Sequence, residues 1–219
     1  MDPLLAFGAA LLALRLAGDL ARRYRVRRAP QLAAWAASLF AYALASAALA
    51  WGSAAGWDEV SFRVYYLFGG LLTAALLGAG SLLLAGQRWV TPVVLVYIGF
   101  AIGIVMAEPL TAPVSGTSIP DAQEHLGFLP ARLAAVLGNS LGTIAVLAVA
   151  ALTFRRRPLA NALIVGGVAV AAAGSGLSGL GVAETSAFIA VGALLLYLGF
   201  IQAGRTGARK RLDARPEAV

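Results

Sequence analysis

The sequence predicts an all-α bundle of seven transmembrane helices, with the N-terminus outside and the C-terminus cytoplasmic. Three observations carry that expectation. First, 60% of the residues are hydrophobic and only 12% are charged, whereas a soluble domain has about 25% charged residues. Second, the apolar residues fall into seven runs, roughly 4–21, 31–52, 62–85, 90–107, 131–153, 159–180 and 185–203. About twenty residues rising 1.5 Å each cross a hydrocarbon core of roughly 30 Å. Third, alternate connections are basic. Arg22 to Arg28 follow the first run, Arg88 the third, Arg155 to Arg157 the fifth and Arg205 to Arg215 the seventh, together 14 of the 17 Lys and Arg. Asp2, Asp58, Glu59, Glu108, Asp121, Glu124 and Glu184 fall on the other side. The positive-inside rule then orients the chain.

Residues 1–204 therefore read as one transmembrane domain and residues 205–219 as a basic cytoplasmic tail. The net charge of +7 is topological. It implies contact with anionic lipid headgroups on the cytoplasmic side and no nucleic-acid partner. Ala, Gly and Arg are abundant and Lys210 is the single lysine. Such a composition suggests a GC-rich bacterial genome, and hence a bacterial plasma (inner) membrane.

The first run carries its basic flank after the apolar stretch, so it reads as a retained helix and not a cleavable signal. Arg15 and Asp19 are four apart within it and are expected to pair, or Arg15 to snorkel. Pro30 stands at the start of the second helix, where proline is tolerated. Pro30-Gln31 is similar to the Pro-Gln pair of the PQ-loop transporters, although there the pair lies within a helix. Trp35 and Trp51, and Trp57 and Trp89, are placed as interfacial aromatic belts.

The third helix opens with the densest polar set at any membrane edge. Asp58 and Glu59 suit a helix N-terminus. Glu59, Arg63 and Tyr66 follow the spacing of one helical face, with acid before base. Deeper in, Gly69, Gly70, Ala74, Gly78 and Gly80 keep the helix thin for close packing. Gly99 and Gly103 of the short fourth helix are expected to pack against another helix of the same chain. Residues 108–130 form the long outer loop, irregular but for a short helix over 120–126, with His125 on a solvated face. The fifth helix carries Asn139, the sixth Asn161 and a glycine-rich end at 174–181, and the seventh Tyr197 and Gln202.

Two landmarks recur. Arg28 and Arg156 precede helices two and six at an offset of 128, and Glu59 and Glu184 open helices three and seven at an offset of 125. They suggest a 3+1+3 parallel repeat, a layout known in transporters.

Several chemistries are excluded. A covalent retinal needs a lysine in the last helix, and Lys210 lies in the tail. Zinc held by a histidine cluster and bis-histidine haem both need more than His125, and cysteine is absent. Ser-His-Asp catalysis lacks a nucleophile elbow. No catalytic or metal residue is assigned.

Residues 59–70, EVSFRVYYLFGG, resemble the third-helix signature of an uncharacterised group of bacterial seven-helix integral membrane proteins. The resemblance extends over most of the chain in helix number, loop pattern and the long fourth loop. It implies the architecture and no activity. The leading reading is a non-enzymatic, transporter-like membrane protein that binds or moves a small or lipidic molecule through an outward-facing site. Glu59, Arg63 and Tyr66 would form one wall, with Glu108, Arg132 and Asn139 contributed by helices four and five. The alternatives are an assembly partner of another membrane protein, and a lipid-acting enzyme using the outer carboxylates.

Overall fold

The computed structural model describes residues 3–156, 158–178, 191–192, 194–199 and 202. Among them there are helices and no strands. The long helices are α1 (Pro3–Arg27), α2 (Pro30–Ala55), α3 (Glu59–Leu84), α4 (Val90–Ala107) and α6 (Leu133–Thr153), with a short α5 (Ala122–His125) and a further helix α7 (Pro158–Ser178). An irregular turn, Phe128–Arg132, leads into α6. Five spans, α1 to α4 and Phe128–Thr153, are long and apolar enough to cross a membrane. This is the build of a membrane-embedded helical protein. The expected seventh run, 185–203, and the tail lie largely outside the described residues, although 191–192 and 194–199 are helical.

Helix α1 runs on to Arg27, well past the apolar stretch that ends near residue 21. Its arginines are therefore held on a helical extension and not in a loop. Arg28 alone turns the chain, in the left-handed region with φ 49°, and Pro30 starts α2 at its first turn. Asp19 pairs with Arg22 and accepts a hydrogen bond from Tyr197 at 3.0 Å. Its hydrogen-bonded partner is thus Arg22, three residues on, where the spacing suggested Arg15.

Packing at the centre depends on small residues. A Cβ on Gly78 would lie 2.6 Å from the Gly142 Cα, so α3 and α6 cross backbone to backbone there. Gly80 and Gly52 open slots that the indoles of Trp35 and Trp57 fill. Those two tryptophans are 3% and 4% exposed, so they belong to the core, whereas Trp51 and Trp89 are exposed as belt residues would be. Gly99 and Gly103 depart from expectation in the opposite sense: nothing lies within 4 Å of a Cβ on either. Among the described residues, the α4 face that carries them is unpacked.

The long loop is folded down onto the end of the bundle. The Trp57 N–H donates to Gly116 O at 2.7 Å, and the Thr111 N–H to His125 O at 3.0 Å. Leu126 is buried, and Leu110, Val114 and Ile119 pack on the same cluster. His125 meets the Phe62 ring edge-on at 5.5 Å and is half-buried, so it is not on a solvated face. The apolar side chains of this loop alternate with its prolines, and that pattern folds it back where composition alone suggested exposure.

The core has two parts. One gathers Leu49, Trp57, Phe62, Tyr66, Leu71 and Ile104 at the acidic end. The other gathers Leu16, Leu20, Trp35, Leu39, Leu77 and Val146 toward the arginine-rich end.

Candidate functional site

Helix α3 begins with a reciprocal cap. The Ser61 N–H donates to Asp58 Oδ1 at 2.7 Å, and the Asp58 N–H donates to Ser61 Oγ at 3.0 Å. The Ser61 backbone N–H, and then its hydroxyl, hold the Asp58 carboxyl below the usual carboxylate range. A carboxyl depressed in the folded state contributes stability that is complete above its unfolded value of about 3.9 and is lost as pH falls through its folded value. The wild-type melting temperature is therefore expected to fall more steeply below about pH 4 than that of Asp58→Asn. Parallel melting curves at several pH values check this, and identical slopes would refute it.

One turn on, Arg63 is committed to its own protein. Its Nε donates to Glu59 Oε1 at 2.8 Å, its Nη2 to the Glu108 backbone carbonyl at 2.8 Å and its Nη1 to the Val105 carbonyl. The last two are carbonyls at the end of α4, where helix termini lack internal partners. Arg63 therefore ties α3 to α4. Tyr66 is 7% exposed and stacks on Phe62 at 6.0 Å. Its hydroxyl has no hydrogen-bond partner among the described residues. The crevice between Arg63, Tyr66 and Glu108 holds only about 10 Å³, room for one water at most. Arg132 stands apart, with its guanidinium 5.6 Å from the centre of the Phe128 ring.

Below this cap α3 widens into a π-helical stretch, Tyr66–Leu72. A widened turn leaves backbone carbonyls without ordinary partners, and such turns recur at functional sites. Here side chains from three other helices serve them. Asn139 Nδ2 donates to Gly70 O at 2.9 Å, Tyr97 Oη lies 3.0 Å from Leu71 O, and Ser38 Oγ donates to Thr73 O at 2.8 Å. Thr73 itself donates to Phe68 O at 2.6 Å. The glycine pair at 69–70 makes room instead for Ala45 of α2 and for the Tyr66 ring.

Beside this stretch is a chamber of about 570 Å³, within the range of roughly 300–1,000 Å³ typical of small-molecule sites. It runs along α3 from Tyr65 to Leu77, roughly 18 Å at 1.5 Å per residue. Helix α2 contributes Ser38, Tyr42 and Ser46, and α6 contributes Asn139, Thr143 and Val146. Ala122 of the folded loop also borders it, as do Val168 of α7 and Leu196. It is bounded by both parts of the core.

The six expected residues thus divide. Tyr66 and Asn139 line the chamber. Glu59, Arg63 and Glu108 meet at the cap, and Arg132 is on neither wall. Ser38, Tyr42, Ser46, Thr73 and Thr143 went unnoticed in the sequence. The spacing of Ser38, Tyr42 and Ser46, four apart in a helix of alanine and leucine, is the signal that marks them as one face. Compared with protein-family models, with curated proteins and with solved structures, the chain matches none of them.

Proposed function

We propose that the protein is a multi-pass membrane protein that binds or moves a small or lipidic molecule held in the chamber between α2, α3 and α6. The single supporting observation is the chamber itself: drug-sized, mostly apolar, with a few neutral polar groups converging on it. In this reading the chain crosses a bacterial plasma membrane seven times with its N-terminus outside, as alternation of the arginines favours. The arginine-bearing extension of α1 then lies against anionic headgroups on the cytoplasmic side. The acidic cap of Glu59, Arg63 and Glu108 faces outward and closes the chamber's outer end. The seven-helix group with the similar third-helix segment and the 3+1+3 repeat fit the same arrangement.

Native mass spectrometry of protein released from lipid tests this. A reproducible bound mass is expected, and Thr143→Phe, which fills the chamber, should abolish it. An unoccupied wild-type protein would undercut the reading. A second reading, an assembly partner, is favoured by α4, where among the described residues nothing lies within 4 Å of a Cβ on Gly99 or Gly103 and Val96 and Met106 are 73% and 80% exposed. The same spectra separate the two, since a partner role predicts a protein complex that α4 substitutions dissociate.

A further inference from the structure

We propose that the chamber selects an uncharged amphiphile, with its hydrogen-bonding head beside Asn139 and Thr143 and its hydrocarbon end toward Leu77 and Val146. This deepens the preceding proposal and rests on reading the chamber as a binding site.

The first argument is charge. Among the described residues lining the chamber there is no Asp, Glu, Lys, Arg or His. Its polar groups are hydroxyls and one amide. A charged head would lose its water there with no opposite charge to offset the loss. Of the nearby cations, Arg63 is occupied by Glu59 and two backbone carbonyls, and Arg132 lies over the Phe128 ring. A neutral head has no such penalty.

The second argument is the distribution of polarity. Asn139 and Thr143 are one turn apart and share a helical face. Donation from Asn139 Nδ2 to Gly70 O fixes the amide's orientation and presents Oδ1 as an acceptor. The Thr143 hydroxyl adds a group that both donates and accepts. Among the described residues neither Oδ1 nor that hydroxyl is hydrogen-bonded by the protein. Opposite them, Tyr42 and Ser46 add hydroxyls from α2. Toward the arginine-rich end, by contrast, the walls are Leu39, Leu77, Val146, Val168 and Leu196, and the two hydroxyls there, Ser38 and Thr73, are spent on the backbone carbonyls of Thr73 and Phe68. Polarity therefore changes along the length of the chamber, as it does along an amphiphile with one polar end. From Gly70, which Asn139 bonds, to Leu77 the chamber runs roughly 10 Å at 1.5 Å per residue, a length that suits a medium-length chain better than a compact solute.

The test uses the protein in detergent and an octan-1-ol bearing a photoreactive diazirine at the chain end. Crosslinks should map to Leu39, Leu77 or Val146. Unlabelled octan-1-ol should compete at least about 10-fold better than octanoate at about pH 8, where the acid is ionised. Labelling should disappear in Thr143→Phe, and in Ser46→Phe on the opposite wall. If neither variant folds, the wild-type competition series decides. Equal competition by octanoate would overturn the selection for uncharged ligands while leaving the chamber as a binding site. Labelling confined to lipid-facing residues such as Val96, and indifferent to both variants, would overturn this proposal and the preceding one together.

Discussion

Gly142→Ala is expected to destabilise the protein by about 2 kcal/mol, the reverse of what helix propensity alone predicts. Alanine is favoured over glycine in a helix by at most about 1 kcal/mol. At position 142, however, a Cβ would overlap the Ala74 carbonyl and lie 2.9 Å from the Ala75 nitrogen. Both contacts are backbone, so no side chain can swing aside. Overpacking of this kind costs about 3 kcal/mol at the upper end of its usual range, and the difference leaves the loss stated. Helix packing in lipid rests on such close approach, because burial from water does not drive it. Gly103→Ala is the control, since nothing lies within 4 Å of its Cβ. It should be neutral or stabilising by up to about 1 kcal/mol. Thermal unfolding of the two variants in one detergent checks the pair. A lower melting temperature for Gly103→Ala than for Gly142→Ala would overturn the packing account of the α3–α6 crossing.

Arg63→Ala is expected to cost about 2 kcal/mol, and Glu59→Ala well under 1 kcal/mol. The two residues form one ion pair, yet their surroundings differ. The Glu59 side chain is 61% exposed and that of Arg63 only 21%. An exposed pair contributes about 0.2–1 kcal/mol. Arg63 additionally serves two carbonyls at the end of α4, and hydrogen bonds involving a charged group contribute roughly 1.5–3 kcal/mol. Loss of Arg63 should also loosen α4 against α3, so that amides near Glu108 exchange faster in hydrogen-exchange mass spectrometry. Equal effects of the two substitutions would mean that the ion pair, and not the helix-end contact, is what Arg63 supplies.

The cap was legible in the sequence for a local reason. Asp58, Ser61, Glu59 and Arg63 interact at spacings of three and four, and helical geometry alone brings such positions together. The thin face of α3 was legible for the same reason, since glycine marks close approach wherever it falls. What those glycines approach was not. Gly78 meets Gly142 and Gly80 meets Trp35 across long stretches of chain, while the equally suggestive Gly99 and Gly103 meet nothing among the described residues. The chamber was hidden for a related reason. Thr73 and Thr143 each look like an isolated hydroxyl in an apolar helix, and the spacing of Ser38, Tyr42 and Ser46 marks a face without saying what it meets. Only the crossing of α2, α3 and α6 places them around one space.

By itself, then, the sequence determined that this is a helical, membrane-embedded chain. Hydropathy and length settle that residue by residue, because hydrocarbon leaves a backbone no other way to satisfy its polar groups here. Tertiary structure alone decided where the charges are used and where space remains. Arg63 became a tie between helices because the end of α4 stops beside it. The polar residues of three helices became one lining because the α3 turn widens at Gly69 and Gly70 and takes its hydrogen bonds from its neighbours. Those outcomes depend on helix crossings tens of residues apart in the chain, which no local spacing encodes.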